Sequence, residues 1–138
     1  MKYWAVVEPM PADELRRVVG ELEGAGLDGI WVPQIFSPPF PTMAAAAMAT
    51  SSLKIGSGVA LAFTRSPLET ALNALDVDLL SGGRTVLGLG TSIRDLNEQF
   101  HGVSYGKPIA HLREVVRIVR EVIEKGHAGA LSAHEGEY

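Results

Sequence analysis

Two glycine-rich stretches and one carboxylate hold most of the chemistry legible in this chain. The stretches are Gly56-Ser57-Gly58-Val59-Ala60 and Gly88-Leu89-Gly90-Thr91-Ser92. Each continues an apolar, strand-like run, and glycine leaves the backbone bare where that run ends. Bare backbone offers N–H donors and lets a planar group lie against the main chain, while Thr91 and Ser92 add two hydroxyls. The second stretch fails as a dinucleotide fingerprint, because Ile93 stands where the third glycine would be. Read blandly, Gly90–Ser92 is a plain turn, and Gly56 and Gly58 only allow close packing. Glu8 ends the first strand-like run. A carboxylate there suits an acid, a base or a hydrogen-bond acceptor, and equally an exposed rim residue without chemistry.

Other polar residues are less directive. Arg65, just after the third strand-like run, suits an anionic group of a ligand or a structural ion pair. His101, His111, His127 and His134 show no spacing of the kind that ligates a metal, and read as solvated or structural. No metal site is expected. Trp4 and Trp31 fall on strands, where their bulk serves packing.

Four βα units must position these residues. Strand-like cores begin near Tyr3, Gly29, Leu53 and Arg84, and helical periodicity follows at about Ala12–Ala25, Thr42–Thr50, Pro67–Leu80 and Ala110–Lys125. Strands alternating with helices predict a parallel sheet, in the order of the chain, with bare backbone at its C-terminal edge. Leu15, Val18, Val19 and Leu22 make one apolar stripe on the first helix; Leu112, Val115, Val116, Val119, Val122 and Ile123 make another on the last, opposite a charged face expected to be solvated. Leu89–Gly106 reads as a long loop or short helix, and His127–Tyr138 as a polar tail. No linker divides the 138 residues, so they read as a single structural unit, shorter than a complete (β/α)₈ barrel of roughly 200–250 residues. A chain stopping after a fourth helix reads as unfinished.

Composition removes several classes of function. The net charge is −4, with 46% hydrophobic and 20% charged residues, which favours neither nucleic acid nor an anionic membrane as a partner. With no cysteine, thiolate catalysis, disulfides and thiolate-bound metals are excluded. Met1 is followed at once by the strand-like Tyr3–Val7, leaving no room for a signal peptide, and Met43–Ala49 is too short to span a bilayer. A cytoplasmic protein is expected.

Ala60-Leu-Ala-Phe-Thr-Arg-Ser-Pro67, Leu80-Ser-Gly-Gly-Arg84, Val86-Leu-Gly-Leu-Gly90, His111-Leu-Arg-Glu114 and Glu135-Gly-Glu-Tyr138 occur in that order. In order and spacing they resemble the N-terminal half of the luciferase-like monooxygenase superfamily, and the first is most similar to its coenzyme F420-dependent oxidoreductase branch. The resemblance implies a (β/α)₈ TIM barrel, here about its first four βα units, that binds coenzyme F420 or FMN at the C-terminal ends of the strands. It implies a non-prolyl cis peptide at Gly58–Val59 behind the ring system. It assigns cofactor contact to Gln34, Gly58, Val59, Ala60, Gly90, Thr91 and Ser92. Glu8, by its place at the end of the first strand, is the candidate catalytic residue, and the open edges and apolar face of a half-barrel sheet predict a homo-oligomer or dimer.

The chain departs from the resemblance at one place. Many F420-dependent relatives carry an Asp-His pair where this chain has Gln34 and Ile35. Histidine-dependent chemistry is therefore not carried over; Gln34 keeps a hydrogen-bonding role, Ile35 supplies an apolar wall, and the substrate expected is bulky and apolar. Three readings stand at this level: an F420- or flavin-dependent oxidoreductase transferring hydride to or from a small organic substrate, a catalytically silent cofactor-binding relative, and a half-barrel without a ligand.

Overall fold

A computed structural model describes residues 1–125, 136 and 137. Its elements run β1 (Trp4–Val6), α1 (Ala12–Gly24), β2 (Gly29–Val32), α2 (Pro39–Ala49), β3 (Lys54–Ser57), β4 (Ala60–Leu61), α3 (Pro67–Ser81), β5 (Thr85–Val86), β6 (Leu89–Gly90), a π-helical turn (Leu96–Phe100) and α4 (Pro108–Lys125). Of the polar tail only Gly136 and Glu137 are described; His127, His134, Glu135 and Tyr138 lie outside the described residues.

The expected alternation is present, with shifted boundaries. Helix α2 begins at Pro39 rather than near Thr42, because prolines in a first helical turn lose no hydrogen bond that the helix would have made. The third and fourth strand-like runs each divide into two short strands, β3 with β4 and β5 with β6. Helix α3 is entered through Ser66, whose Oγ accepts the Glu69 N–H at 3.1 Å. It ends at Gly82 and Gly83, both with positive φ, the conformation in which glycine closes helices cheaply.

The chain divides into two compact units, Met1–Ala60 with Ala74–Gly88, and Leu61–Asn73 with Leu89–Tyr138. In the first, four strands form a parallel sheet in the order β1-β2-β3-β5, with Trp4 opposite Gly29, Ile30 opposite Ile55 and Gly56 opposite Val86. One face is the core: Ile30, Val32 and Ile55 are fully buried, α2 packs on β2 and β3, and α1 packs on α2 through a stripe that buries Leu15 and Val19. Burying each such aliphatic side chain is worth roughly 1.5–3 kcal/mol.

The other face carries Trp4 and Trp31, stacked with ring centroids 4.3 Å apart. A side chain at Gly29 would meet the Trp4 ring at 2.7 Å, and one at Gly56 would collide with the Trp31 ring. The glycines of this face thus make room for two indoles lying flat across the sheet. Val6, on the same face, is 67% exposed.

In the second unit, α4 buries Val115, Val119 and Val122. The rest of its expected stripe diverges: Leu112 and Val116 line an open groove of about 680 Å³ with Arg113, Arg117 and Arg120. The six residues of that stripe therefore do not share one buried face, because their combined arc is wider than the stripe its neighbours cover. Two of the recurrent motifs meet here, since the Glu137 N–H donates to Glu114 Oε1 at 3.3 Å.

Candidate cofactor site

Parallel strands bring their C-terminal ends to one edge, and in the first unit this edge gathers Glu8, Gln34, Gly58 and Val59. Main-chain bonds align them: Val7 N–H donates to Trp31 O at 2.9 Å, Gly58 N–H to Val32 O at 2.9 Å and Gln34 N–H to Val59 O at 3.2 Å. The Gly58–Val59 peptide is cis, as the resemblance implies. Gly58 and Val59 are exposed, Val59 by 39%. Ala60 differs. It is fully buried and its N–H donates to Gly88 O at 2.8 Å, so it presents no surface to a ligand and serves the strand pairing instead.

Gly58 has a reason to be glycine that the sequence does not display. A Cβ there would stand 3.0 Å from Trp31 Cβ, so the close neighbour it admits is an indole from the adjacent strand. Ser57 secures the same turn from behind: its Oγ donates to Gly88 O at 2.8 Å and accepts the Gly88 N–H at 2.9 Å. The exposed edge is therefore backed by a packed aromatic and a two-way hydroxyl bond.

Beside it lies a pocket of about 380 Å³ lined by Glu8, Pro9, Pro33, Ile35, Phe36 and Ser37. Its wall is apolar except for Glu8 and Ser37, and Phe36 is 88% exposed. Ile35 supplies part of that wall, as expected of its side chain. Apolar walls with a few polar groups are the usual make-up of small-molecule sites.

The second unit holds Gly90, Thr91 and Ser92. Ala62 N–H donates to Gly90 O at 2.9 Å, and Ser92 lies in the left-handed region at φ 56°. Two residues passed over in the sequence define this loop. Asn97, buried in the π-helical turn, donates through Nδ2 to Thr91 O and Ile93 O, both at 2.8 Å. Tyr105 donates through its hydroxyl to Ser92 O at 2.8 Å. A Tyr and an Asn in a glycine-punctuated loop carry no sequence signal beyond a general taste for carbonyl partners. Arg65 donates to Thr64 Oγ1 at 3.3 Å and Leu61 O at 3.5 Å, and burial lowers its pKa. His111 stacks on Phe63 at 3.8 Å, and burial lowers its pKa against the opposing pull of Glu114.

The comparisons with known proteins agree with this geometry. The luciferase-like monooxygenase family model matches residues 3–138. A Mycobacterium tuberculosis protein provisionally named a coenzyme F420-dependent oxidoreductase is 35% identical over 121 residues, 87% of this chain and 34% of its own length. The 5,10-methylenetetrahydromethanopterin reductase of Archaeoglobus fulgidus is 30% identical over 133 residues, 95% of this chain and 39% of its own. Among solved structures, the coenzyme F420-dependent tetrahydromethanopterin reductase of Methanopyrus kandleri superposes with a TM-score of 0.79 at 25% identity, over 99% of this chain and 43% of its own. The FMN-bound oxygenating constituent of 3,6-diketocamphane monooxygenase from Pseudomonas putida, at 20% identity, shares the fold with a TM-score of 0.78, over 100% of this chain and 42% of its own. The chain thus spans about a third to two-fifths of the length of these relatives, and its α/β fold with a parallel sheet matches theirs. With the family model matching from residue 3 to the last residue, this chain belongs to the luciferase-like monooxygenase family.

Proposed function

We propose that this chain is the N-terminal half of a (β/α)₈ oxidoreductase that uses coenzyme F420, or alternatively FMN, to transfer hydride to or from a small organic substrate. The observation that carries the reading is the exposed C-terminal strand edge of a family member. There Gly58 and Val59 present main chain and Glu8 presents a carboxylate, beside a largely apolar pocket. Such a surface fits a planar heteroaromatic ring with a polar rim, since bare main chain admits the ring face and the polar groups meet its edge. Relatives named for F420 add support, and the FMN-bound monooxygenase marks the alternative.

In this reading Gln34 hydrogen-bonds the ring or the substrate, and Gly58 with Val59 flanks the ring. Gly90, Thr91 and Ser92 contact the cofactor from the loop after β6. Ala60 acts only by holding β4 in place. Bound deazaflavin or flavin supplies the hydride chemistry, and the protein supplies position and exclusion of water. Glu8 is the candidate acid or base. Ile35 and Phe36 favour a substrate with an apolar body. We include in the same proposal a cytoplasmic homo-oligomer; among the described residues no helix is long and apolar enough to cross a membrane.

The test is a titration of the native protein with F420 and with FMN, followed by absorbance and fluorescence. Micromolar binding of one of them and its turnover with an organic hydride donor or acceptor are expected. Binding without turnover would leave the silent relative, and binding of neither would remove the reading.

A further inference from the structure

Three successive carbonyls in the loop after β6 are all held by two side chains that no motif marks. Asn97 Nδ2 bridges Thr91 O and Ile93 O, and the Tyr105 hydroxyl takes Ser92 O between them, each at 2.8 Å. Thr91 Oγ1 joins the cluster, donating to Ser92 O at 3.2 Å and accepting from the Tyr105 hydroxyl at 3.4 Å. Its three carbonyls are tied and Ser92 is turned to φ 56°, so the loop is held at three successive peptides. Among the described residues the N–H groups of Thr91, Ser92 and Ile93 donate to nothing, so the fixed loop leaves a row of donors uncommitted.

Both side chains are built in. Asn97 is 0% exposed, and its Oδ1 has no partner among the described residues. An unsatisfied buried acceptor is costly, and an apolar side chain of similar size would avoid that cost; the amide is retained for its NH₂. Tyr105 is gripped on its ring. Phe63 meets it edge-on with centroids 5.9 Å apart, and Arg94 lies 5.2 Å above the ring centre. Arg94 is itself held by Glu98 at 2.7 Å, and the same Glu98 oxygen accepts the Tyr105 N–H at 3.3 Å.

We infer that Asn97 and Tyr105 are positioning residues that hold Thr91–Ile93 in the shape the cofactor binds. The inference rests on the cofactor reading above, and it adds the residues that make this loop rigid before a ligand arrives. Preorganised donors bind more tightly because less ordering remains to be done on binding.

The experiment compares the native full-length protein with Tyr105→Phe, which keeps the ring and removes one hydroxyl, and with Asn97→Leu, which keeps the volume and removes the bridge. Dissociation constants for F420 and FMN are measured alongside the thermal midpoint and amide exchange at Ser92 and Ile93. Tyr105→Phe is expected to weaken cofactor binding about tenfold and speed exchange at Ser92, with little movement of the midpoint. Asn97→Leu, if folded, should do the same or more. Unchanged affinity in Tyr105→Phe, while the parent binds, overturns the positioning role alone. A parent that binds neither cofactor removes the cofactor reading and this inference with it.

Discussion

At the N-terminal ends of the strands in the first unit, charged side chains are committed to main chain; at the C-terminal ends of the same strands they are not. Arg84, just before β5, donates to Ala47 O and Leu53 O at 2.8 Å, to Thr50 O at 2.9 Å, to Thr50 Oγ1 at 3.0 Å and to Ser81 O at 2.6 Å. It thereby satisfies the carbonyls left over where α2 ends. Glu23, at the end of α1, gathers the N–H groups of Ser51, Ser52 and Leu53 and the Ser52 hydroxyl on one oxygen. Asp28 accepts the Tyr3 N–H at 2.6 Å. Across the sheet, Glu8 and Phe36 are exposed around an open pocket. The two ends share strands and differ in where their polar groups are directed. One is saturated by bonds to main chain, and the other leaves the Glu8 carboxylate exposed beside a pocket.

Breaking the saturated end should have the larger effect. Arg84→Met leaves several carbonyls without a donor, and we expect a loss of about 3 kcal/mol in denaturant unfolding. A loss within 0.5 kcal/mol, roughly the range of an ordinary surface substitution, would erase the contrast between the two ends.

Glu23 sharpens the comparison through pH. Bonds from the Ser52 N–H, and then from the Ser52 hydroxyl and the neighbouring N–H groups, hold its carboxyl at about 2 against an ordinary 4.5, with burial opposing. A carboxyl lowered in the folded state stabilises the fold above its unfolded pKa and loses that contribution as pH falls from 4.5 towards 2. Glu23→Gln should therefore flatten the acid limb of the stability curve in that window. At pH 7 it should cost about 1 kcal/mol, a figure kept small because the group is partly exposed and screened. Unfolding curves measured at successive pH values would show it.

The smallest stability effect is expected at the open end. Glu8→Gln should leave the unfolding free energy within about 0.5 kcal/mol of the parent. If Glu8 acts as acid or base, turnover should fall about a hundredfold while cofactor affinity holds. A stability loss comparable to that of Arg84→Met would place Glu8 in the scaffold instead.

The open end was the more legible of the two in the sequence. Glycines at 56, 58 and 88 mark positions in or next to strands where another group approaches the backbone closely. The saturated end gave no such signal. Arg84 stands in a recurrent motif, yet nothing local says that its partners lie in residues 47–53, more than thirty positions back. Gly56 and Gly58 were legible as sites of close approach, but not that the approaching group is Trp31. Asn97 and Tyr105 were not legible at all, since their partners depend on how a loop without periodicity closes.

Alternation of strands and helices, the absence of cysteine and the glycine-ended runs are local properties, and they alone determined the parallel α/β class and the lack of a thiolate within these 138 residues. Tertiary structure decided the rest. It laid indoles over the glycines, tied Arg84 to the end of α2 and turned Thr91–Ile93 around the buried Asn97 and the half-buried Tyr105. The reason is range: periodicity and turn chemistry act within a few residues, whereas the Tyr105 and Arg84 bonds join residues 13 and up to 37 positions apart and exist only once packing has brought the segments together.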